Sequence, residues 1–204
     1  MTIVAFYSKG TSIEVQNTWS KRLKFYYPSL KLVPLLSEEA KFATVALLWK
    51  APLNYLNKMT RIKGLISLGQ GVDHILNGNL IPENVPVVRI VDPYMAKSMS
   101  HWVLLSILNI IRETYGYFSQ ENTKTYQPRD EKSFLSLKIG IYGIGAIGSV
   151  VAKDLSYMGF NVQGWSRTKK KIKTITCFSG NEGFTELITN SDIHVCLLPL
   201  TPST

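Results

Sequence analysis

Nine residues, Gly140-Ile-Tyr-Gly-Ile-Gly-Ala-Ile-Gly148, constrain the fold of this 204-residue chain more than any other stretch. Gly143, Gly145 and Gly148 stand in the spacing GxGxxG. Alone, that spacing is a weak signal. Here an apolar run, Lys138–Tyr142, leads into it and an amphipathic run, Ala146–Met158, follows it. That is the strand–turn–helix context the pattern needs. Gly143 then permits a tight turn, Gly145 lets the backbone approach a pyrophosphate, and Gly148 lets helix and strand pack closely. Ala146 and Ile147 open the helix, whose N-terminus presents N–H groups and positive dipole to phosphate. The expectation is a dinucleotide held above a parallel sheet.

The other end of that dinucleotide is read about 20 residues on, where Asp or Glu holds the ribose of NAD. The sequence there is Gly164-Trp-Ser-Arg-Thr-Lys-Lys-Lys-Ile172, and no carboxylate lies between Asn161 and Thr176. An acidic residue would repel a 2′-phosphate. Ser166 and Thr168 can hydrogen-bond one, and Arg167 can pair with it through its guanidinium fork. NADP(H) is therefore expected in preference to NAD(H). The lysines beyond Lys169 are expected to form a solvated basic loop.

The rest of the chain alternates short apolar runs with amphipathic ones. Strands are expected at Thr2–Phe6, Leu32–Leu35, Thr44–Leu48, Gly64–Leu68 and Val87–Val91, with helices over Ser12–Tyr26 and Leu53–Lys58. Ala96 to Tyr117 reads as one long helix with the stripe Trp102, Leu105, Leu108, Ile111 and Tyr115, followed by a polar loop over Glu121–Lys132. The pattern then restarts: Lys138–Tyr142, Asn161–Trp165 and Ile193–Leu198 as strands, Ala146–Met158 and Phe184–Thr189 as helices. Such alternation predicts parallel sheets covered by helices. The expected fold class is α/β with two Rossmann- or flavodoxin-like parallel-sheet domains.

Composition narrows the function classes. With 45% hydrophobic and 11% aromatic residues the chain can bury a core, unlike a disordered one. The net charge of +9 suits any anionic partner. Its densest cluster, Arg167–Lys173, sits where a dinucleotide phosphate belongs rather than in a stripe interleaved with aromatics, so nucleic acid is not the expected partner. No membrane partner is expected either, because the most apolar run, Trp102–Ile111, is half the length of a span. Two cysteines, Cys177 and Cys196, suggest a reducing compartment, and the cytoplasm is the default. Cys196, inside a strand, is expected to be buried and inert.

Four segments, in order, resemble the D-isomer-specific 2-hydroxyacid dehydrogenase family: Leu68-Gly-Gln-Gly-Val-Asp73, Gly143-Ile-Gly-Ala-Ile-Gly148, Trp165-Ser-Arg-Thr168 and Leu197-Leu-Pro-Leu-Thr-Pro202. Within it, Ala46-Leu-Leu-Trp-Lys-Ala-Pro52 is similar to the bacterial glyoxylate/hydroxypyruvate reductase A branch. The resemblance implies a substrate-binding domain over residues 1–95 and an NAD(P)-binding domain over 96–204. It implies hydride transfer to a small 2-oxo acid, glyoxylate to glycolate or hydroxypyruvate to glycerate. Backbone amides of Gly69, Gln70, Gly71 and Val72 would grip the substrate carboxylate. Trp49 would line the substrate pocket, or else be a core residue. Leu198, Pro199 and Thr201 would pass beneath the cofactor. The family forms dimers through helices joining its domains, so a homodimer is implied; the Trp102–Tyr115 stripe would serve that contact or the chain's own core.

The family's catalytic Arg, His and carboxylate lie beyond the segment matching Leu197–Pro202, and the sequence ends at Thr204. The expectation is a second domain incomplete at its C-terminus, with no catalytic residue to carry over. The runner-up is a truncated, non-catalytic nucleotide-binding remnant. His74, His101 and His194 are expected to be structural or surface residues, with His74 the one whose loop faces the substrate. Asp73 is expected to cap a helix and Met99 to pack inside one. No metal-ligand spacing is present.

Overall fold

The computed structural model describes residues 1–76, 81–129, 133, 136–201 and 204. Pro202 and the 130–132 end of the expected polar loop lie outside them. Packing divides the chain into two compact units, Met1–Val91 with Pro199–Thr204, and Asp92–Leu198. The division falls at Asp92, four residues before the expected start of the second domain. The reason is local: Asp92 accepts a hydrogen bond from the Tyr94 N–H at 2.9 Å and Pro93 opens the helix, a pairing of cap and first-turn proline that starts helices.

The first unit holds strands β1 (Thr2–Ser8), β2 (Leu30–Pro34), β3 (Val45–Trp49), β4 (Gly64–Ser67) and β5 (Val87–Arg89), with helices α1 (Ile13–Tyr26) and α2 (Asp73–Leu76) and 3₁₀ turns at Glu38–Phe42 and Leu53–Lys58. The strands pair in parallel in the order β2-β1-β3-β4-β5, the flavodoxin-like order. Ala5, Val33, Ala46, Leu48 and Leu65 pack on one face with Leu56, Met59 and Ile75. Val4, Phe6 and Leu47 point to the other, toward Trp19 and Leu23 of α1. The registers Ser8↔Trp49 and Leu48↔Ser67 bring the carboxyl ends of β1, β3 and β4 side by side.

The second unit holds α3 (Pro93–Ile111), α4 (Thr114–Asn122), β6 (Lys138–Tyr142), α5 (Ala146–Tyr157), β7 (Asn161–Ser166), β8 (Thr176–Ser179), α6 (Gly180–Thr189) and β9 (Ile193–Cys196). Its strands are also parallel, in the order β8-β7-β6-β9, which is the 3-2-1-4 start of a Rossmann sheet. Val103, Ile107 and Ile111 of α3 pack with Ile139, Ile141, Val151, Leu155 and Val162. Four-residue β8 has no alternation long enough to announce itself.

The expected single helix over Ala96–Tyr117 is two helices. Glu113 adopts the left-handed conformation, φ +49°, and breaks the run. Of the expected apolar stripe, Ile111 is buried and the other four residues are exposed. Ala96, Ser100, Val103, Ile107 and Ile111 are buried, whereas Trp102, Leu105, Leu108 and Tyr115 are exposed. Spacing alone could not choose, because α3 is apolar on both faces. No helix among the described residues is long and apolar enough to cross a membrane.

Candidate functional site

At the end of β6 the chain turns against β7. The N–H groups of Gly143 and Ile144 both donate to the Trp165 carbonyl, at 2.9 and 3.1 Å. Gly143 has φ +99°, and a Cβ there would sit 2.9 Å from the Leu197 carbonyl oxygen. A Cβ on Gly148 would run into the Gly143 carbonyl. Both glycines are thus demanded by the protein's own packing.

Gly145 is different. It is exposed, its φ is −78°, and nothing lies within 4 Å of the place a Cβ would occupy. Neither conformation nor packing requires glycine there. Gly145 is also the N-cap of α5 and makes no side-chain cap, so the opening N–H groups of the helix, at Ala146 and Ile147, have no intrahelical acceptor. Open space beside uncapped N–H groups at the positive end of a helix dipole suits a phosphate. On this observation the loop fits a dinucleotide.

Two and three residues past Trp165, Arg167 and Thr168 are exposed, while Ser166 is buried and its hydroxyl donates to the Thr168 carbonyl at 2.8 Å. Ser166 therefore shapes the turn, and its proton is already used. Lys170 is exposed, as expected of the solvated loop, and its ammonium also donates to the Ile144 carbonyl at 2.9 Å, inside the glycine turn. Nothing in the sequence signals that contact, which spans 26 residues. Lys169, Lys171 and Lys173 are exposed.

The Leu197 N–H donates to the Tyr142 carbonyl at 2.8 Å, and a Gly143 Cβ would meet the Leu198 side chain at 3.1 Å. Pro199 and Thr201 belong to the first unit, where the Thr201 N–H donates to Thr204 Oγ1 at 3.0 Å. Cys196 is exposed rather than buried. Side chains alternate across β9, and His194 and Cys196 share its exposed face. His194 on the same strand lies 2.7 Å from the Tyr142 hydroxyl, whose pKa is pushed up by burial and then by Cys196. His101 is exposed on α3, and Met99 packs against the core as expected.

In the first unit, a second glycine loop follows β4. Ser67 is fully buried at the strand end, and its hydroxyl donates to the Gly71 carbonyl at 2.7 Å. The Gly69 N–H donates back to Ser67 Oγ at 3.2 Å, so this amide of the four expected to hold a carboxylate is turned inward. The amides of Gly71 and Val72 have no partner among the described residues. Arg89 donates to the Gln70 carbonyl at 3.2 Å. Trp49, half-buried, covers Gly69 so closely that a Cβ there would collide with its ring. Its ring also meets His74 edge-on at 4.8 Å between centroids. Asp73 opens α2. Ser67 and Arg89 escaped the sequence reading, although a lone hydroxyl in an apolar strand just before a glycine pair is a signal that could have been used.

Comparison with known proteins follows the same lines. Residues 102–204 match the family described as D-isomer specific 2-hydroxyacid dehydrogenase, NAD binding domain. A glyoxylate/hydroxypyruvate reductase A from Yersinia enterocolitica is 33% identical over 191 residues, covering 91% of this chain and 61% of the relative. A D-isomer specific 2-hydroxyacid dehydrogenase from Xanthobacter autotrophicus, solved with NADPH and MES, superposes with TM-score 0.88 at 29% identity, over 100% of this chain and 65% of that one. An NADPH-dependent glyoxylate/hydroxypyruvate reductase from Sinorhizobium meliloti, solved with NADP and sulfate, gives TM-score 0.86 at 27% identity, over 100% of this chain and 64% of that one. The chain thus spans less than two thirds of the length of these relatives. The glycine turn after β6 and the parallel sheet behind it fall within the matched residues, and the chain belongs to the D-isomer specific 2-hydroxyacid dehydrogenase family.

Proposed function

We propose that the chain carries the cofactor site and the substrate-anion cradle of an NADPH-preferring reductase of small 2-oxo acids, acting on glyoxylate and hydroxypyruvate. The observation that supports this most is Gly145, a glycine that the protein's own packing does not need, beside uncapped helix N–H groups. Gly143, Gly145, Ala146, Ile147 and Gly148 hold the pyrophosphate by backbone amides and the α5 dipole. Arg167 and Thr168 take the 2′-phosphate, in a turn shaped by Ser166, and no carboxylate between Asn161 and Thr176 opposes them. Leu198, Pro199 and Thr201 flank the cofactor. When bound, NADPH would supply hydride to the keto carbon, and a proton added to the resulting alkoxide would give glycolate or glycerate. The amides of Gly71 and Val72, in the loop Gly69–Val72, hold the substrate carboxylate, and Trp49 walls the pocket. The kinship with the Sinorhizobium meliloti reductase, whose description names NADPH and this substrate pair, adds support. The exposed Trp102, Leu105, Leu108 and Tyr115 form a self-association face for a homodimer. The free cysteines fit the cytoplasm.

A second reading, a nucleotide-binding module without turnover, is favoured by one observation. Both ring nitrogens of His74 are engaged, His194 is tied to Tyr142, and His101 lies exposed on α3. None of the three is placed as a general acid. The test is NADPH and NADH binding by fluorescence, followed by NADPH consumption with glyoxylate. NADPH should bind the more tightly, and Arg167→Asp should weaken it about 10–100-fold, the value of a charge-assisted contact, with NADH little changed. Retained preference in that variant overturns the 2′-phosphate assignment. Tight binding without consumption selects the second reading.

A further inference from the structure

His74 has no part in the reductase scheme above, yet its bonds run in one direction only. The Lys50 N–H lies 3.2 Å from Nδ1. A backbone N–H can only donate, so Nδ1 carries the lone pair and the proton of the neutral ring is on Nε2. Nε2 lies 3.0 Å from Ser67 Oγ. The Ser67 proton goes to the Gly71 carbonyl at 2.7 Å, so Oγ accepts from Nε2–H. The chain of donors is therefore Lys50 to His74 to Ser67 to Gly71, with one assignment of protons.

That chain reaches the amides of the loop. A peptide group is planar and trans, so the carbonyl of one residue and the N–H of the next point in opposite directions. Holding the Gly71 oxygen against Ser67 sends the Val72 N–H the other way. Holding the Gln70 oxygen with Arg89, 3.2 Å from Nη1, does the same for the Gly71 N–H. Lys50, at the start of the donor chain, is a non-glycine residue at φ +48°. Such strain persists only where surrounding contacts impose it, and here it aims the Lys50 N–H at His74.

We propose that His74 is a positioning residue for the substrate carboxylate: as the neutral Nε2–H tautomer it holds Ser67, and through Ser67 it aims the loop amides at the anion. This rests on reading Gly69–Val72 as the carboxylate cradle. Protonation of Nδ1 would set one donor against the Lys50 N–H and break the chain. Burial resists that protonation; Asp73 of α2 favours it, Lys50 at the end of β3 opposes it, and Arg89 from β5 adds positive charge at Gln70.

The experiment uses the native full-length protein with NADPH, and oxalate as an unreactive carboxylate probe. Amide NMR reports where oxalate binds, and calorimetry reports its affinity and that of NADPH in the wild type, His74→Leu and His74→Gln. The expected result is that oxalate shifts the Gly71 and Val72 amides, that His74→Leu weakens oxalate about tenfold, the value of one hydrogen-bonded contact, and that His74→Gln, which keeps a donor to Ser67, restores most of it. NADPH affinity should be unchanged throughout. Wild-type oxalate affinity should also fall below pH 6.5, the ordinary imidazole value, and His74→Gln should lose that dependence. Shifted amides with full affinity in His74→Leu overturn the role of His74 and leave the cradle standing. Unshifted amides overturn the cradle, and the role of His74 with it. Should His74→Leu not fold, imidazole nitrogen shifts of the wild type at about pH 8 decide: a proton on Nδ1 overturns the proposal.

Discussion

The two glycine loops stand at equivalent places, each at the carboxyl end of a parallel strand, yet they are held by opposite means. After β6 the turn is made by glycine itself: a positive φ at Gly143, and a Gly148 with no room for a Cβ. After β4 the glycines have ordinary φ values, and the loop is held by side chains, Ser67, His74 and Arg89. A loop locked by backbone sterics has one shape at every pH. A loop locked by a histidine and a hydroxyl can be loosened by a proton. The difference follows from the ligand proposed for each, a phosphate laid along a helix end in one case and a small carboxylate gripped by aimed amides in the other.

The largest break in this comparison is Gly148→Ala. Its Cβ meets backbone, which cannot yield cheaply, so it should cost about 3 kcal/mol and lower the melting temperature by about 10 °C. Gly145→Ala, in open space, should shift stability by less than about 0.5 kcal/mol. Thermal unfolding of both variants checks the pair, and equal losses would show that the two glycines share one role. Next comes Ser67→Ala, which strands a buried carbonyl, an amide and the Nε2–H of His74 and should cost about 2 kcal/mol in urea unfolding. The smallest effect is a pH slope. The folded pKa of His74 lies below its unfolded value of 6.5, chiefly through burial. The unfolded chain therefore binds more protons in the window below 6.5, and stability rises with pH there. The contribution should be complete above that value and decline as pH falls beneath it. Urea unfolding of the wild type against His74→Gln isolates it as the difference in slope.

Much of this was visible without coordinates. The strands other than β8, helices α1 and α5 and the glycine turn announced themselves because each depends on residues a few positions apart. The strand–turn–helix context, the missing carboxylate after β7 and the four family segments all pointed to one family. The misses have a common cause. Which face of α3 is buried stayed open in the sequence, since Trp102 and Leu105 are as apolar as Val103 and Ile107, and the packing of α5 on the latter pair decided it. Cys196 was expected to be buried from its place inside a strand, but which face of a strand is covered depends on what packs on it, and the face Cys196 shares with His194 is exposed. The hydrogen bond of exposed Lys170 went unseen because its acceptor, Ile144, is 26 residues away.

Spacing along the chain was enough for the fold class, the nucleotide-binding turn and the preference expected at the ribose, since glycine sterics, strand alternation and the sign of local charge act over a few residues. Only the packed molecule decided which glycine the fold itself does not need, which lysine reaches the turn and which way the hydrogen bonds of His74 run. Those depend on directed hydrogen bonds and on empty space between residues distant in sequence, and a hydrogen bond has a direction only once both partners have a place.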